Sequence, residues 1–224
     1  MAADDLDLAE GVLANASDLM VQAKEIALQL SNGSMDAAAR ANAANQIGTI
    51  RDALLGIANT KGTKGYLFGG TKTDTPPFDA TGTFTGNDQR ADVEVADGIV
   101  ARSNASGAKT FTSAGGVDVF AQLSTLEAAL ATNNEAGIRN SIDSMTKSHD
   151  QIVAGRVDTG TVATRFRSAS TIIESSLVTL KDAKAKTVEI DPTTAYSNLV
   201  DLQAAYERSL AVTKKILSLS AMNQ

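Results

Sequence analysis

Apolar residues recur three and four positions apart along both ends of the chain, and the pattern continues for many helical turns. In the first segment the stripe consists of eight residues: Leu6, Ala9, Leu13, Ala16, Met20, Ala23, Ala27 and Leu30. In the second half the same spacing connects Ile138 to Leu180. A stripe of this length is typical of long helices that pack side by side. It predicts a helical bundle and argues against an enclosed enzyme pocket.

The composition excludes several classes of function. The chain has a net charge of -6, so it lacks the field of clustered lysine and arginine that nucleic-acid binding requires. It has no cysteine, which excludes disulfides and cysteine-based metal sites. No apolar run approaches the roughly 20 residues of a membrane-spanning helix, so we expect no membrane insertion. Acidic residues at positions 4, 5 and 7 argue against a cleaved signal peptide.

No arrangement of side chains predicts catalysis, a cofactor or a metal. His149 is the single histidine, so a site with several histidine ligands is impossible, and we interpret it as a polar residue at a helix-packing position. The acidic residues between Asp88 and Asp97 do not follow the spacing of a calcium-binding loop. The pair Gly69–Gly70 precedes no phosphate-loop lysine and is more typical of a turn. We therefore expect a protein without enzymatic activity and without cofactors.

Helices follow from the apolar pattern and from the residues that interrupt it. They are predicted over residues 4–31, 35–60, 117–132 and 135–187, with a last helix from Pro192 onward. Gly33 can end the first helix, and Ser34 can cap the second. Asp191 is suited to cap the last helix, and Pro192 follows it at the first helical position, where proline is favoured. The first two helices should form an antiparallel hairpin because the loop between them is short.

The composition changes between Lys61 and Gly116. Ten of the 17 glycines and five of the nine aromatic residues fall in this segment. The stretch from Gly65 to Gly70 predicts a short strand between glycines. The stretch from Val93 to Arg102 predicts a hairpin around a turn at Asp97–Gly98. The segment therefore predicts a small β-rich insert between two helical halves.

The expected fold is mainly α, an elongated rod of antiparallel helices with a small β lobe. We assign residues 1–60 and 117–190 to the helical rod. Residues 61–116 form the inserted, outward-projecting β-rich lobe, and residues 191–224 form a C-terminal assembly helix. The predicted assembly face of that helix consists of Leu199, Leu202, Tyr206, Leu210 and Leu217.

Three passages resemble the flagellin superfamily. Residues 20–33, MVQAKEIALQLSNG, are similar to the segment that closes the first rod helix in that superfamily. Residues 58–78, ANTKGTKGYLFGGTKTDTPPF, resemble a passage of the hook–filament junction family, FlgL or hook-associated protein 3. Residues 201–220, DLQAAYERSLAVTKKILSLS, are similar to the C-terminal helix of both groups. The middle passage favours the junction family, because filament flagellins carry a different sequence there.

The resemblance implies a structural role in the extracellular bacterial flagellum. Members of this family form a ring between the hook-associated protein FlgK and the flagellin filament, and the two ends of each chain pair as a coiled coil. They are exported through the flagellar type III apparatus with the help of a chaperone. The implied partners are a FlgK-like protein, flagellin, further copies of this chain and an export chaperone.

The chain also departs from the family pattern in two places. It lacks the family's N-terminal segment, so we expect residues 191–224 to be frayed in isolation or docked on a neighbour. Gln22 and Lys24 stand where receptor-activating flagellins carry arginine, and we expect weak stimulation of the flagellin receptor. Both residues are also predicted to belong to the assembly interface.

Two other interpretations stay open at this point. A small filament flagellin would share the fold, although residues 61–116 argue against it. A coiled-coil surface adhesin or binding module would also explain the helical stripes, with the β lobe as its ligand-binding part. An enzyme is the least supported interpretation, because no catalytic arrangement of side chains is present.

Overall fold

The computed structural model describes residues 2–33, 35–96, 99–188 and 192–222. The chain divides into two compact units, Met1–Ile173 and Glu174–Gln224. Helices predominate in both units, and the described strands are short and belong to the first unit. The mainly α fold class with a small β part is therefore confirmed.

The first two helices are connected by a short turn. Helix α1 spans Ala2–Leu30 and helix α2 spans Ala37–Ala58. The Asp36 side chain caps α2 by accepting a hydrogen bond from the backbone N–H of Ala39, at 2.6 Å. Ser34, the predicted cap, lies outside the described residues. Helix α2 begins two residues later than expected because the extended backbone at Asp36 places this cap at its start.

The predicted apolar stripe of α1 is buried along its whole length. All eight of its residues are at most 5 % exposed, and half of them are alanine. Small side chains allow neighbouring helices to approach closely and to exclude water between them. Helix α2 packs against α1 and contributes Ala43, Ile47, Ile50 and Leu54 to the same core. The two stripes predicted from sequence therefore meet in one hydrophobic core.

Two short antiparallel hairpins follow α2. Strand β1 (Lys61–Gly62) pairs with β2 (Gly65–Tyr66), and strand β3 (Asp92–Ala96) pairs with β4 (Ile99–Arg102). The predicted hairpin is present, and Val93 lies opposite Ala101 because an irregularity between Glu94 and Ala96 shifts the register. The predicted turn at 97–98 lies outside the described residues.

The predicted strand over residues 65–70 is only two residues long. The chain turns at Gly70, where φ is 71° and a side chain would collide with the backbone carbonyl of Asn87. A second tight loop follows at Asp79, whose carboxylate accepts hydrogen bonds from the Thr81 hydroxyl and from the backbone N–H of Thr83. These hydrogen bonds hold the pKa of the Asp79 carboxyl below its usual value. Local turn chemistry of this kind limits the length of the strands.

The phenylalanines of the insert belong to the same core as the helices. Phe68, Phe78 and Phe111 are at most 1 % exposed. The Phe78 ring lies 5.4 Å, between centroids, from Phe120 of helix α4 (Val119–Ala131). We predicted an outward-projecting lobe, but these rings anchor the segment in the helical core, because large apolar side chains gain most from burial. The division of the chain at residues 60, 116 and 190 stays a prediction.

A short helix that the sequence did not predict closes the insert. Helix α3 spans Gly107–Phe111 and is followed by a 3₁₀ turn at Ser113–Gly115. The buried Gln151 side chain holds the connection to α4. Its Nε2 donates to the carbonyls of Thr112, at 2.9 Å, and Val117, at 3.0 Å, and its Oε1 accepts from the Val117 N–H at 2.8 Å. A single amide thereby connects the backbone at Thr112 to the backbone at Val117.

Helix α5 spans Glu135–Val188, and its first half completes the core of the first unit. Its apolar stripe is buried at Ile138, Met145, Ile152 and Ala163. Polar contacts connect its edge to α1, since Arg156 pairs with Glu10 at 2.6 Å and Arg167 pairs with Asp7. His149 Nε2 lies 3.1 Å from Ser17 Oγ, which agrees with the predicted helix-packing role of the histidine.

The buried cation Arg40 connects the end of α1 to the beginning of α5. Arg40 lies on α2 and is 2 % exposed. Its guanidinium donates to the carbonyls of Leu30, at 3.1 Å, and Asn32, at 2.9 Å, where α1 ends. It also donates to the side chains of Asn133, at 2.5 Å, and Glu135, at 3.1 Å, where α5 begins. These four hydrogen bonds compensate the loss of water around the charge and satisfy carbonyls that have no partner inside α1.

Replacing Arg40 by methionine should destabilise the first unit. Arg40→Met retains much of the buried length but removes all four hydrogen bonds. We expect the free energy of unfolding to fall by about 2–3 kcal/mol, a value kept moderate because Glu135, at 37 % exposure, stays hydrated. Urea denaturation followed by circular dichroism measures the change. Arg139→Met, at an exposed position of α5, should change stability by less than about 0.5 kcal/mol, and equal effects of the two variants would contradict this role.

Removing the hydroxyl of Ser148 should instead raise the free energy of unfolding. Within the described part of the chain, Ser148 Oγ is a fully buried polar atom without a hydrogen-bond partner. Ser148→Ala should raise the free energy of unfolding by about 1 kcal/mol, because it removes a desolvated hydroxyl and introduces a better helix former. Ser168→Ala, on the exposed surface of the same helix, measures the propensity gain alone, about 0.5 kcal/mol. A loss of stability in Ser148→Ala would show that the hydroxyl is paired in solution.

Candidate assembly interface

An exposed apolar stripe runs along the last helix. Helix α6 spans Pro192–Met222 and belongs to the second unit. Four of the predicted interface residues on it are exposed to solvent: Leu199 (53 %), Leu202 (69 %), Tyr206 (67 %) and Leu210 (43 %). At 1.5 Å per residue these four side chains extend over about 17 Å of the helix. Leu217 lies in the same helix, but its side chain is outside the described residues.

The spacing along α6 is that of a helix with a partner. Leu199 and Tyr206 are seven residues apart, and Leu202 lies between them at the three–four spacing of a coiled-coil seam. Aliphatic and aromatic side chains in this arrangement can exclude water against another apolar helix. Tyrosine adds a large, rigid contact area with a polar tip, which is favoured at protein interfaces. The arrangement is therefore suited to assembly through helix packing.

The exposed face of α6 is wider than the sequence predicted. Tyr196 is 70 % exposed and lies three residues before Leu199, so it continues the stripe toward the start of the helix. Val200 and Val212 are also exposed and lie beside it. The spacing of Tyr196 was visible in the sequence, whereas the two valines lie off the main series. Contiguous exposed apolar surface marks interaction sites in soluble proteins.

The end of α5 is exposed as well. We expected the stripe of the long helix to be satisfied mostly within the chain. It is buried as far as Ala163, but Leu177 is 51 % exposed and Leu180 is 65 % exposed in the second unit. The expectation was wrong for these residues, because an apolar period identifies a face of a helix without specifying what covers that face.

The other two predicted interface residues belong to the first unit. Gln22 is exposed on α1, and Lys24 on the same helix is half-buried. Among the described residues, neither side chain makes a hydrogen bond or an ion pair with another. The assembly role of all seven predicted residues stays a prediction, and the two sets lie in different units of the chain.

Metal and membrane sites have recognisable signatures in side-chain clusters and in helix hydropathy. Within the described ranges, no group of three or more histidine, aspartate or glutamate side chains is placed to hold a metal ion. None of the described helices combines the length and the apolar character needed to span a membrane.

Comparison with known proteins identifies a relative that covers nearly the whole chain. No protein-family model matches the sequence. The chain is 27 % identical over 232 residues to flagellar hook-associated protein 3 of Salmonella typhimurium, which covers 93 % of this chain and 73 % of that relative. The chain is related to flagellar hook-associated protein 3. The resemblance predicted from the three sequence passages is confirmed.

Solved structures of this group, also named FlgL, share the fold. FlgL of Xanthomonas campestris superposes with a TM-score of 0.71 at 19 % identity, over 83 % of this chain and 96 % of that one. The flagellar junction protein FlgL of Legionella pneumophila superposes with a TM-score of 0.62 at 14 % identity, over 75 % of this chain and 92 % of that one. The solved structures confirm the fold, and the sequence relation confirms the predicted role of a structural protein of the bacterial flagellum.

Because the α6 stripe is exposed, charged substitutions on it should leave the free chain stable. We expect Leu202→Asp and Tyr206→Asp to change the free energy of unfolding by less than about 0.5 kcal/mol. Urea denaturation of the purified chain measures this, and Ser197→Asp, at an exposed position on the opposite side of α6, is the matched control. A loss of more than about 2 kcal/mol in Leu202→Asp alone would place its side chain in a core of the free protein.

Proposed function

We propose that this chain is a junction subunit of the flagellum, linking a FlgK-like hook-associated protein to the flagellin filament. The relation to hook-associated protein 3 supports a role at the hook, and the name of the Legionella relative supports a junction role. The observation that carries the assembly part of the proposal is the exposed stripe from Leu199 to Leu210. A subunit that acts by assembly needs an apolar surface that the free chain leaves uncovered.

The first unit supplies the rigidity that such a role requires. Its helices bury one continuous core, and Arg40 and Gln151 connect chain segments that are distant in sequence. A well-packed core transmits strain without rearranging. We infer that the junction subunit acts mechanically, through the stiffness of its first unit and the apolar assembly surface of its second unit, and that it catalyses no reaction.

The flagellar location and the family resemblance support the remaining partners. We infer that the chain is exported through the flagellar type III apparatus and that an export chaperone binds it beforehand. Several copies then form a ring between the FlgK-like protein and flagellin. An exposed apolar helix such as α6 is prone to premature association, which gives a chaperone a physical reason to bind.

Deleting the gene tests the proposed role. Cells that lack this chain should build hooks and release flagellin into the medium but retain no filaments. Electron microscopy of the cells and immunoblotting of the medium measure the two outcomes. Normal filaments on the deletion strain would contradict the proposal.

Complementation of the deletion strain tests the α6 surface separately. Wild-type chain and the Ser197→Asp variant should restore filaments. Leu202→Asp and Tyr206→Asp should not, because a carboxylate in an apolar contact is costly to desolvate. Immunoblotting must show that all variants are exported in similar amounts. Restoration of filaments by both stripe variants would show that the α6 stripe is not an assembly contact.

The two alternatives predict different behaviour of the purified chain. A filament flagellin would polymerise alone into long filaments, which electron microscopy detects. An adhesin would bind a glycan or protein ligand through residues 61–116, yet the phenylalanine rings of this segment pack in the core. The relation to hook-associated protein 3 supports neither alternative.

A further inference from the structure

A groove lined by three arginines lies between the second hairpin and α5. It has a volume of about 350 Å³, and six of its residues define its character: Arg90, Val100, Arg102, Asp158, Val162 and Arg165. Three guanidinium groups face one carboxylate in a chain whose net charge is -6. The groove is therefore a local basic surface on an acidic protein, with valine side chains between its charges.

The arginines differ in how they are neutralised. Arg102 donates to Asp158 at 3.0 Å, and Arg90 pairs with Asp92 at 3.3 Å. Arg165 is exposed, and among the described residues nothing forms a hydrogen bond or ion pair with it. Both aspartates are about half exposed, so a further carboxylate can reach these arginines from solvent. The groove thus matches an acidic partner that also carries aliphatic side chains.

The outer face of α1 has that complementary chemistry. Asp18, Val21, Glu25 and Leu28 are exposed along it at three–four spacing, with Val21 at 40 % and Leu28 at 48 % exposure. Within the first unit, α1 already pairs with α5 by the same chemistry, since Glu10 binds Arg156. The exposed acidic face of α1 lacks such a partner inside the described chain.

The spacing of the two surfaces matches in an antiparallel arrangement. On α5, Val162 lies four residues after Asp158, where Arg102 is bound, and three residues before Arg165. On α1, Val21 lies four residues before Glu25 and three after Asp18. Each pair of charges is separated by seven residues, about 10.5 Å along a helix. Glu25 can then meet Arg102, Val21 can meet Val162, and Asp18 can meet Arg165.

We propose that the arginine groove of one copy binds the acidic outer face of α1 of a second copy. This inference rests on the proposed function only in that the chain assembles with itself. The contact joins two different surfaces, so a subunit bound through its groove still presents its own α1 face to another copy. Such a head-to-tail contact closes into a ring or extends as a helix, depending on the rotation between copies.

Cysteine crosslinking of the full chain tests the contact directly, because the natural sequence has no cysteine. In the matched register Ala14 of one copy lies opposite Ala169 of the other, one step beyond the Asp18–Arg165 pair. A mixture of the Ala14→Cys and Ala169→Cys variants should form disulfide-linked dimers under mild oxidation. A mixture of Ala14→Cys and Arg139→Cys, which is exposed elsewhere on α5, is the control. Equal crosslinking of both mixtures would overturn the proposal.

Charge reversal supplies a second, independent readout. The Arg165→Glu variant should weaken self-association about tenfold in sedimentation experiments at low salt, and Arg139→Glu should not. Mixing it with the Asp18→Arg variant should restore association, because the reversed pair at positions 18 and 165 again attracts. No recovery in the mixture, or equal weakening by Arg139→Glu, would overturn the proposal.

The measurements separate this inference from the junction role and from the α6 surface. Helix α6 is unchanged in every variant, so apolar association through it contributes equally throughout. The purified chain contains neither flagellin nor a FlgK-like protein, so a failed crosslink leaves the deletion phenotype unaffected. Conversely, a deletion strain with normal filaments leaves the crosslinking result standing as a self-association surface.

Discussion

The burial of one narrow stripe on α1 is the constraint on which the first unit depends. Half of its eight buried residues are alanine, so the neighbouring helices can approach closely but have little side-chain volume to compensate a misplacement. The larger apolar volume comes from Phe68, Phe78, Phe111 and Phe120, which pack at the insert. Such a core needs both parts, because α1 supplies a narrow, alanine-rich stripe and the packing at the insert supplies the large aromatic side chains.

Buried polar side chains then determine which helix ends lie next to each other. Arg40 connects the end of α1 to the beginning of α5, and Gln151 holds the α3–α4 connection. Both side chains are buried and use hydrogen bonds to backbone carbonyls, which have few alternative partners once water is excluded. Such contacts add modest net stability but penalise other arrangements of the same helices, since each would leave several polar groups unpaired.

The two proposed contact surfaces use different physics. The α6 stripe is apolar, so its association gains from the release of water and is little affected by salt. The groove at Arg165 and the face at Asp18 are charged, so their attraction weakens as ionic strength rises. Charge pairs at an interface contribute mainly to orientation and partner choice, whereas apolar contacts supply most of the affinity. In a subunit with both kinds of surface, the apolar contact can set the affinity while the charge pairs set the orientation of the copies.

The sequence by itself determined every helix except α3, the apolar faces of these helices and the relation to hook-associated protein 3. Periodicity is a local property, which is why the stripes of α1, α2 and α4 and the β3–β4 hairpin could be predicted, and why the α6 stripe was recognised as a candidate site. Only the tertiary structure decided what covers each face. It buried three phenylalanine rings of the insert, left Leu177 and Leu180 exposed and placed Arg40 among helix ends up to 95 residues away. Those outcomes depend on contacts between distant segments, which no short window of sequence contains.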